Sequence, residues 1–202
     1  MNPPTIPGLR ILILAAGFST RLGEPKALAR IRGLSLLRRT ALMLAPLSAW
    51  PLIVVTPLRS ASYRQELRGL DARIVENAGR ASGLSGSLRL GLAQARWSAA
   101  TLIVPVDLAE LVRAEIRRLA RRWRMAPRRI VARRIGTHAG TPLILPRRFY
   151  SLARRLRGDV GLRELLADIA IDGRILINMP SAVQDIDTPA DLRAARRART
   201  PR

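Results

Sequence analysis

Short apolar runs alternate along the chain with segments whose apolar residues recur at helical spacing. The first run starts at Ile11 and has no polar alternation, which indicates a strand that is covered on both faces in a parallel sheet. The other predicted strands are Pro51–Val55, Ala72–Val75, Thr101–Val106, Ile130–Ile135, Pro142–Leu145, Ile175–Asn178 and Ala182–Asp187. The predicted helices are Leu34–Leu47, Ser62–Leu70, Gly83–Arg96, Leu108–Trp123, Phe149–Leu156, a segment ending near Ile169 and one starting at Pro189. This alternation predicts an α/β fold with a mostly parallel sheet.

The length and composition fit a single domain. The chain has 202 residues, of which 48% are apolar, enough to bury a sizeable core. We expect one domain over residues 1–202, with flexible ends at 1–8 and 198–202. There is no signal-like start and no apolar run near the ~18 residues of a membrane span, so we expect a cytoplasmic protein without a membrane partner.

Two residue types are almost missing, and their rarity excludes several kinds of chemistry. The absence of cysteine removes disulfides, thiolate nucleophiles and cysteine-based zinc sites. His138 is the only histidine, which removes most histidine-based metal sites and acid–base pairs. It is predicted in a loop between Gly136 and Gly140, where a catalytic role is a minor alternative to an inert exposed residue.

The formal net charge is +22, which would ordinarily suggest a nucleic-acid partner. The arginines are spread over the whole length, however, and only 3% of residues are aromatic, so little is available to stack on bases. We therefore expect no nucleic-acid partner. The charge favours a general attraction for polyanionic small molecules.

A loop rich in small and polar residues follows the first strand. Gly17 and Gly23 flank a turn that carries Ser19 and Arg21, at the end of a strand where open parallel sheets bind ligands. Lys26 is the only lysine among 36 basic residues, and its compact ammonium suits phosphate, although a chance surface lysine is the alternative. The glycine spacing fits neither the P-loop nor the dinucleotide fingerprint.

The ordered residues of this loop carry a family resemblance. Leu14-Ala15-Ala16-Gly17-x-Ser19-x-Arg21-x-Gly23-x-Pro25-Lys26 resembles the signature loop of the MobA-like nucleotidyltransferases, and most closely that of the molybdenum cofactor cytidylyltransferases. The resemblance implies a single Rossmann-like three-layer domain. It also implies transfer of CMP from CTP to molybdopterin or its molybdenum form, with Mg²⁺ as cofactor, pyrophosphate as product and a client molybdoenzyme as a further partner.

The resemblance also assigns site residues. It assigns catalytic roles to Arg21, Lys26 and Asp107, and metal binding to Asp107 and Asp187. It assigns binding of the acceptor to Asp159 and Arg163, although Leu162 stands between them where alanine is usual. The nucleotide-binding set is Leu14, Ala15, Ala16, Gly17, Arg21, Gly23, Lys26, Asn77, Gly83 and Ser85. Of these, Gly83 and Ser85 lie in a small-residue turn that opens a helix, where an ordinary helix cap is an equally good interpretation.

The two metal candidates differ in their structural alternatives. Asp107 and Glu110 have the spacing of a capping box for the next helix, so Asp107 is either a cap or a ligand. In the motif Asp185-x-Asp187, the following Thr188, Pro189 and Asp191 already cap the last helix, which leaves Asp187 available to a metal. Magnesium prefers one or two carboxylates together with phosphate oxygens and water.

Several alternatives stay open from the sequence. Ala15-Ala16-Gly17 goes with cytidine in the resembled families and Ala-Gly-Gly with guanosine, so a guanylyltransferase is one alternative and a sugar-phosphate nucleotidyltransferase is another. A non-catalytic molybdenum cofactor carrier is the third, because Ala109 replaces the usual proline two residues after the aspartate.

Overall fold

A computed structural model describes residues 5–79, 83–156, 166, 169, 171–182 and 185–197. Seven strands in this part of the chain form one sheet in the order β5-β4-β1-β6-β8-β7-β9. They are β1 (Leu9–Leu14), β4 (Leu52–Pro57), β5 (Ala72–Asn77), β6 (Ala100–Pro105), β7 (Ile130–Ile135), β8 (His138–Pro146) and β9 (Arg174–Ile177), and a separate hairpin pairs β2 (Arg30–Ile31) with β3 (Leu34–Ser35). β8 is antiparallel to both of its neighbours, while the other pairings are parallel. The predicted mostly parallel sheet is confirmed.

Helices cover both faces of the sheet. They are α1 (Leu36–Leu44), α2 (Ala61–Glu66), α3 (Gly83–Gln94), α4 (Arg113–Met125), α5 (Tyr150–Ala153) and α6 (Pro189–Arg197). Short 3-10 turns occupy Lys26–Leu28, Ala45–Leu47, Arg147–Phe149, Ile171–Gly173 and Pro180–Ala182. No helix in the described ranges is long and apolar enough to cross a membrane.

The central strand β1 shows why its sequence lacks polar alternation. Ile11 and Ile13 belong to one buried cluster together with residues of α1 and α4, whereas Leu12 and Leu14 belong to another together with residues of α3. Both faces of the strand are therefore core, as the apolar run predicts. The result is a three-layer α/β fold.

Three predicted elements differ from the structure. The helix predicted from Leu34 starts at Leu36, because Leu34 and Ser35 pair with the strand before them. The helix predicted from Leu108 starts at Arg113, with Val112 as its cap, and Leu108 instead forms an isolated bridge with Asp185. The late strand predicted at Ala182–Asp187 is wrong: Ala182 ends a 3-10 turn, and among the described residues of the segment Asp185 forms an isolated bridge with Leu108.

Smaller differences concern the hairpin and the ends. β8 begins at His138, so Gly140 lies in the strand and not in the loop. Ile6, inside the segment 1–8 that we predicted to be flexible, is buried and donates its N–H to the Leu47 carbonyl at 2.9 Å. The predicted acceptor residues Asp159 and Arg163 lie outside the described residues, as does most of the helix predicted to end near Ile169.

Candidate active site

A cleft opens at the carboxyl edge of the sheet, where β1 and β6 end side by side. Its walls come from the loop after β1, the first turn of α3 and the end of β6. The residues that line it are Leu14, Ala15, Ala16, Gly17, Phe18, Ser19, Lys26, Ala27, Gly83, Leu84, Ser87, Pro105, Val106 and Asp107. This is the position at which ligands bind in open parallel sheets.

The loop after β1 folds back on itself and delivers Lys26 to the cleft. Ser19 has a positive φ of 56° and Gly23 one of 79°, so the chain reverses within a few residues. The Ser19 hydroxyl accepts the backbone N–H of Lys26 at 2.9 Å, and the Leu22 N–H donates to the Ser19 carbonyl at 3.1 Å. These two bonds fix the start of the 3-10 turn that carries the lysine.

The Lys26 ammonium lies between two carboxylates. Its Nζ is 2.6 Å from Asp187 Oδ1 and 3.1 Å from Asp107 Oδ2. Arg21 Nη2 binds the other oxygen of Asp187 at 2.8 Å, although the Arg21 side chain is 70% exposed. The side chain of Lys26 is only 15% exposed, so the alternative of a chance surface lysine does not hold.

Asp107 is not a helix cap. The cap of α4 is Val112, which makes no side-chain hydrogen bond to the helix, so the capping-box alternative is wrong. The backbone carbonyl of Asp107 instead accepts the N–H of Ile186 at 3.1 Å and the N–H of Ala109 at 3.0 Å. The first bond holds the segment with Asp187 against the end of β6. The bond from Ala109 could not form with the proline that is usual at this position, because proline has no backbone N–H.

The start of α6 leaves the Asp187 side chain available, as predicted. Asp191 Oδ2 accepts the backbone N–H groups of Thr188 at 2.7 Å and of Asp187 at 3.1 Å, and the Thr188 hydroxyl accepts the Asp191 N–H at 3.2 Å. This reciprocal pair is a capping box. The carboxylate of Asp187 takes no part in it.

Burial and nearby charges shift the pKa of three groups at the site. Burial opposes the charge on Lys26, but the nearby Asp107 and the hydrogen bonds with both carboxylates outweigh it, and the pKa of Lys26 is raised. The hydrogen bond from Lys26 lowers the pKa of Asp187 against the opposing effect of burial. Asp185 shows the reverse: burial, reinforced by the charge of Asp107, raises its pKa, although Arg133 lies 3.8 Å away.

Asp107 and Asp187 are the carboxylates at the cleft that could hold a divalent cation. They converge on one cation in this structure, so their oxygens already point to a common position. The described residues contain no group of three or more His, Cys, Asp or Glu side chains able to hold a metal. A site with two carboxylates suits Mg²⁺, which keeps water and takes phosphate oxygens from its substrate.

The predicted nucleotide-binding residues divide into three groups. Six of them line the cleft: Leu14, Ala15, Ala16, Gly17, Lys26 and Gly83. The Ala15 N–H donates to the Val55 carbonyl at 2.9 Å, so this amide takes part in the hydrogen bonding between β1 and β4. Arg21 and Gly23 are exposed on the loop beside the cleft.

Asn77 and Ser85 support the cleft from behind. Both are buried, and neither is among the lining residues. The Asn77 side-chain amide donates to the Ser87 hydroxyl at 3.0 Å, which ties the end of β5 to the first turns of α3. Asn77 thus positions a lining residue instead of lining the cleft itself.

Two apolar residues at the cleft escaped the sequence reasoning. Phe18 is 55% exposed and Leu84 is 40% exposed, and both line it. Phe18 occupies a variable position of the signature loop. An apolar ring in a polar, glycine-flanked turn is the sequence feature that could have identified it as a cleft residue. His138 is exposed at the start of β8 and does not line the cleft.

Comparison with known proteins shows the family of the chain. Residues 11–173 match the MobA-like NTP transferase domain. A curated relative, the bifunctional IPC transferase and DIPP synthase of Thermococcus kodakarensis, is 41% identical over 85 residues, which are 40% of this chain and 20% of that relative's length. The chain thus spans about a fifth of the curated relative it matches.

Solved structures share the fold over nearly the whole chain. Rv0371c from Mycobacterium tuberculosis has a TM-score of 0.75 at 24% identity, covering 96% of this chain and 100% of that one. A second structure of that protein, in complex with manganese, has a TM-score of 0.68 at 23% identity, over 93% of this chain and 97% of that one. A nucleotidyl transferase from Methanothermobacter has a TM-score of 0.76 at 23% identity, over 93% and 95% of the two chains. At these identities the likeness concerns the fold.

Proposed function

Because the chain belongs to the family of MobA-like NTP transferase domains, we propose that it transfers CMP from CTP to molybdopterin or its molybdenum form, releasing pyrophosphate. The family and the fold make the protein a nucleotidyltransferase. The choice of CTP, of the pterin acceptor and of Mg²⁺ is our proposal, as are a cytoplasmic location and a client molybdoenzyme that receives the product.

One observation carries the proposal. Lys26, Asp107 and Asp187 come from three separate parts of the chain and meet beside a cleft at the carboxyl edge of the sheet, with Arg21 as a second cation. Nucleotidyl transfer requires alignment and charge neutralisation more than proton chemistry. Two cations, two carboxylates and neither cysteine nor histidine at the cleft are consistent with that requirement.

The reaction forms one bond and breaks another at the α-phosphorus of CTP. An oxygen of the acceptor's terminal phosphate bonds to that phosphorus, and the oxygen that bridges the α- and β-phosphates leaves with pyrophosphate. Arg21 and Lys26 neutralise the charge that grows on the leaving group. A Cβ added at Gly17 would meet no atom within 4 Å, so the loop leaves open space for the triphosphate.

The carboxylates complete the arrangement. Asp107 and Asp187 would hold Mg²⁺, which supplies charge neutralisation at the phosphate oxygens. The manganese complex of Rv0371c supports a divalent ion in this fold. Lys26 bridges the two carboxylates in this structure, and in the substrate complex its ammonium would move to the phosphates.

The nucleotide preference is testable by ligand-induced stabilisation. We expect CTP with Mg²⁺ to raise the melting temperature more than GTP, ATP or UTP do, because a ligand that binds the native state stabilises it in proportion to its affinity. The expectation rests on Ala16, which stands where the guanosine-linked pattern has glycine. A larger shift with GTP would instead support a guanylyltransferase.

A second candidate is a sugar-phosphate nucleotidyltransferase. The sequence leaves it open, and the 41% identity over 85 residues is to a bifunctional IPC transferase and DIPP synthase. Measuring pyrophosphate release with CTP and either molybdopterin or a panel of sugar phosphates separates the two candidates. Release with neither acceptor would leave the non-catalytic carrier as the better interpretation.

Replacing Lys26 by alanine tests the proposed roles. We expect turnover to fall by orders of magnitude while the fold is kept, since the ammonium acts on the developing charge. The matched control is Arg64→Ala on α2, which removes one cation from an ion pair with Glu76 of β5. Near-normal transfer by the Lys26 variant would contradict the assignment.

A further inference from the structure

Arg133 is a buried arginine near the same edge of the sheet as the cleft. Its side chain is 9% exposed, and no other arginine among the described residues is buried. β8 is antiparallel to both β6 and β7, so β7 runs parallel to β6 and ends at the carboxyl edge of the sheet. A β-bulge between Ala132 and Arg133 shifts the pairing of β7 with β8, and bulges of this kind redirect side chains beside active sites.

Arg133 uses one of its nitrogens for contacts with the protein. Its Nη1 donates to the Thr141 carbonyl of β8 at 3.3 Å and lies 3.8 Å from Asp185 Oδ1. Toward the rest of the described chain, Nε and Nη2 make no hydrogen bond. Neither atom is fully enclosed, because the enclosed side-chain atoms without a hydrogen bond in that part of the chain are Arg39 Nε and Thr56 Oγ1. Together, Nε–H and Nη2–H form the edge of the guanidinium that can donate two parallel hydrogen bonds to an oxyanion.

Burial distinguishes Arg133 from the other arginines of this basic chain. The other described arginines are exposed or half-buried, so water can satisfy their donors and the lack of a carboxylate partner costs them little. Arg133 has lost most of its water, and a buried cation is costly unless it is paired and hydrogen-bonded. One hydrogen bond at 3.3 Å and one ion pair at 3.8 Å offset only part of that cost.

Asp185 connects Arg133 with the proposed metal site. Asp185 forms a bridge with Leu108, the residue after Asp107, and the next amide, that of Ile186, donates to the Asp107 carbonyl at 3.1 Å. In the strand order β1-β6-β8-β7, Arg133 therefore lies beyond Asp107 as seen from the loop after β1. It is not one of the residues that line the cleft.

This position suits the attacking group of the transfer reaction. The attacking and leaving oxygens lie roughly in line on opposite sides of the phosphorus. In the proposed reaction the pyrophosphate leaves towards Arg21 and Lys26 on the loop after β1. The attacking phosphate then approaches from the opposite side, which is the side of β8 and β7.

We propose that Arg133 binds the phosphate of the acceptor, and that the acceptor is a phosphate monoester. The Nε/Nη2 edge donates to two phosphate oxygens, which leaves the third free to attack the α-phosphorus of the nucleotide. The guanidinium also offsets the repulsion between the two anions that must meet. The inference rests on the proposed nucleotidyl transfer, but it applies equally to molybdopterin and to a sugar phosphate.

Inorganic phosphate is the probe for this site. The cleft is first filled with an α,β-methylene analogue of CTP and Mg²⁺, which cannot release pyrophosphate, and phosphate is then titrated while the melting temperature is followed. We expect phosphate to stabilise the natural protein. Arg133→Met should weaken its apparent affinity at least about tenfold, as expected when hydrogen bonds to a charged group are lost. The matched control is Arg134→Met, which removes the same charge from the next, exposed residue of β7 and should change the affinity less than twofold.

Asp185→Asn separates a binding role from a structural one. If Arg133 only holds Asp185 in place, both Arg133→Met and Asp185→Asn should weaken phosphate binding equally, and the proposal is wrong. The proposal predicts the opposite for Asp185→Asn, since the guanidinium edge is kept and a repelling charge is removed, so phosphate should bind at least as tightly. Should Arg133→Met not fold, Arg133→Lys gives the same comparison, because it keeps the charge and loses the two-pronged edge.

The remaining outcomes are equally decisive. No stabilisation of the natural protein by phosphate, or an equal loss in Arg134→Met, would overturn the assignment of Arg133. In assays of transfer, Arg133→Lys should raise the KM for the phosphorylated acceptor and leave the KM for CTP unchanged. The absence of any transfer by the natural protein would instead contradict the proposed function, while the phosphate titration would still compare the variants.

Discussion

Replacing Lys26 by methionine removes the ammonium that bridges Asp107 and Asp187 while keeping an unbranched side chain of similar length. If the ammonium holds the position that a divalent cation takes, the variant should bind Mn²⁺ more tightly than the natural protein when no nucleotide is present. The expectation runs opposite to the loss of turnover, so it tests the geometry independently of catalysis.

The magnitude follows from the contacts. The two N–O distances are 2.6 and 3.1 Å, and the exposed fractions of the three side chains are 15%, 23% and 32%, so these pairs lie between the surface and the interior. Exposed pairs contribute about 0–1 kcal/mol, and breaking buried ones costs about 3–5 kcal/mol. We take about 1–2 kcal/mol as the free energy that a metal must overcome to displace the lysine. Since about 1.4 kcal/mol is a factor of ten, Mn²⁺ affinity should rise about tenfold.

The assay is a titration that measures free Mn²⁺ by electron paramagnetic resonance, without nucleotide and at neutral pH. Arg64→Met is the control, because it also removes one cation from an ion pair but lies on α2, and it should change Mn²⁺ affinity less than twofold. Asp107→Asn in the Lys26→Met background should abolish the gain. Unchanged or weaker Mn²⁺ binding by Lys26→Met would refute the idea that lysine and metal share one place.

Three further predictions concern stability. Asn77→Ala leaves the buried Ser87 hydroxyl without its donor, which costs about 1–3 kcal/mol. This should lower the melting temperature by about 2–4 °C per kcal/mol, whereas an unchanged value would contradict the supporting role. Gly91→Ala places a Cβ 2.4 Å from Leu12 Cδ1. The overpacking, about 1–3 kcal/mol, should outweigh the gain of about 1 kcal/mol in helix propensity, so calorimetry that finds a higher melting temperature would count against it. The lowered pKa of Asp187 means that its ion pairs stabilise the fold above the unfolded value of about 3.9 and are lost as pH falls below it. The difference in melting temperature between the natural protein and Asp187→Asn should therefore shrink between pH 5 and pH 3, and a constant difference would contradict this cause.

The central strands were predictable because burial on both faces requires a continuous run of apolar residues, which is visible in the sequence. β1, β4 and β6 are largely apolar runs without polar alternation, and each lies inside the sheet with both faces buried. The end of β6 likewise gave the position of Asp107. The start of α6 was predictable for a different reason, since Thr188 and Asp191 cap it within four residues of sequence.

Other element boundaries depend on contacts between distant parts of the chain, which no local sequence pattern shows. Leu34 and Ser35 fit helical spacing, but pairing with Arg30 and Ile31 overrides it. The three-residue spacing of Asp107 and Glu110 suggested a cap, yet α4 starts at Arg113 and the Asp107 carbonyl accepts the N–H of Ile186 just before α6.

The candidate site shows the same division. Lys26 and Asp187 were each identified as site residues from a motif. Their contact joins positions that are 161 residues apart, and only the fold shows it. The apolar residues Phe18 and Leu84 lie at variable positions of two separate motifs. Only the structure shows that both line the same cleft.

The measurement that tests the central claim most directly follows the labelled α-phosphate of CTP. The protein is incubated with [α-³²P]CTP, Mg²⁺ and molybdopterin, and label in the pterin product is quantified beside released pyrophosphate. We predict equal amounts of both, dependent on metal and acceptor, with the rate reduced by orders of magnitude in Lys26→Ala. The absence of label transfer from every nucleotide to every phosphorylated acceptor, or transfer that is unaffected by loss of Lys26, would contradict the account.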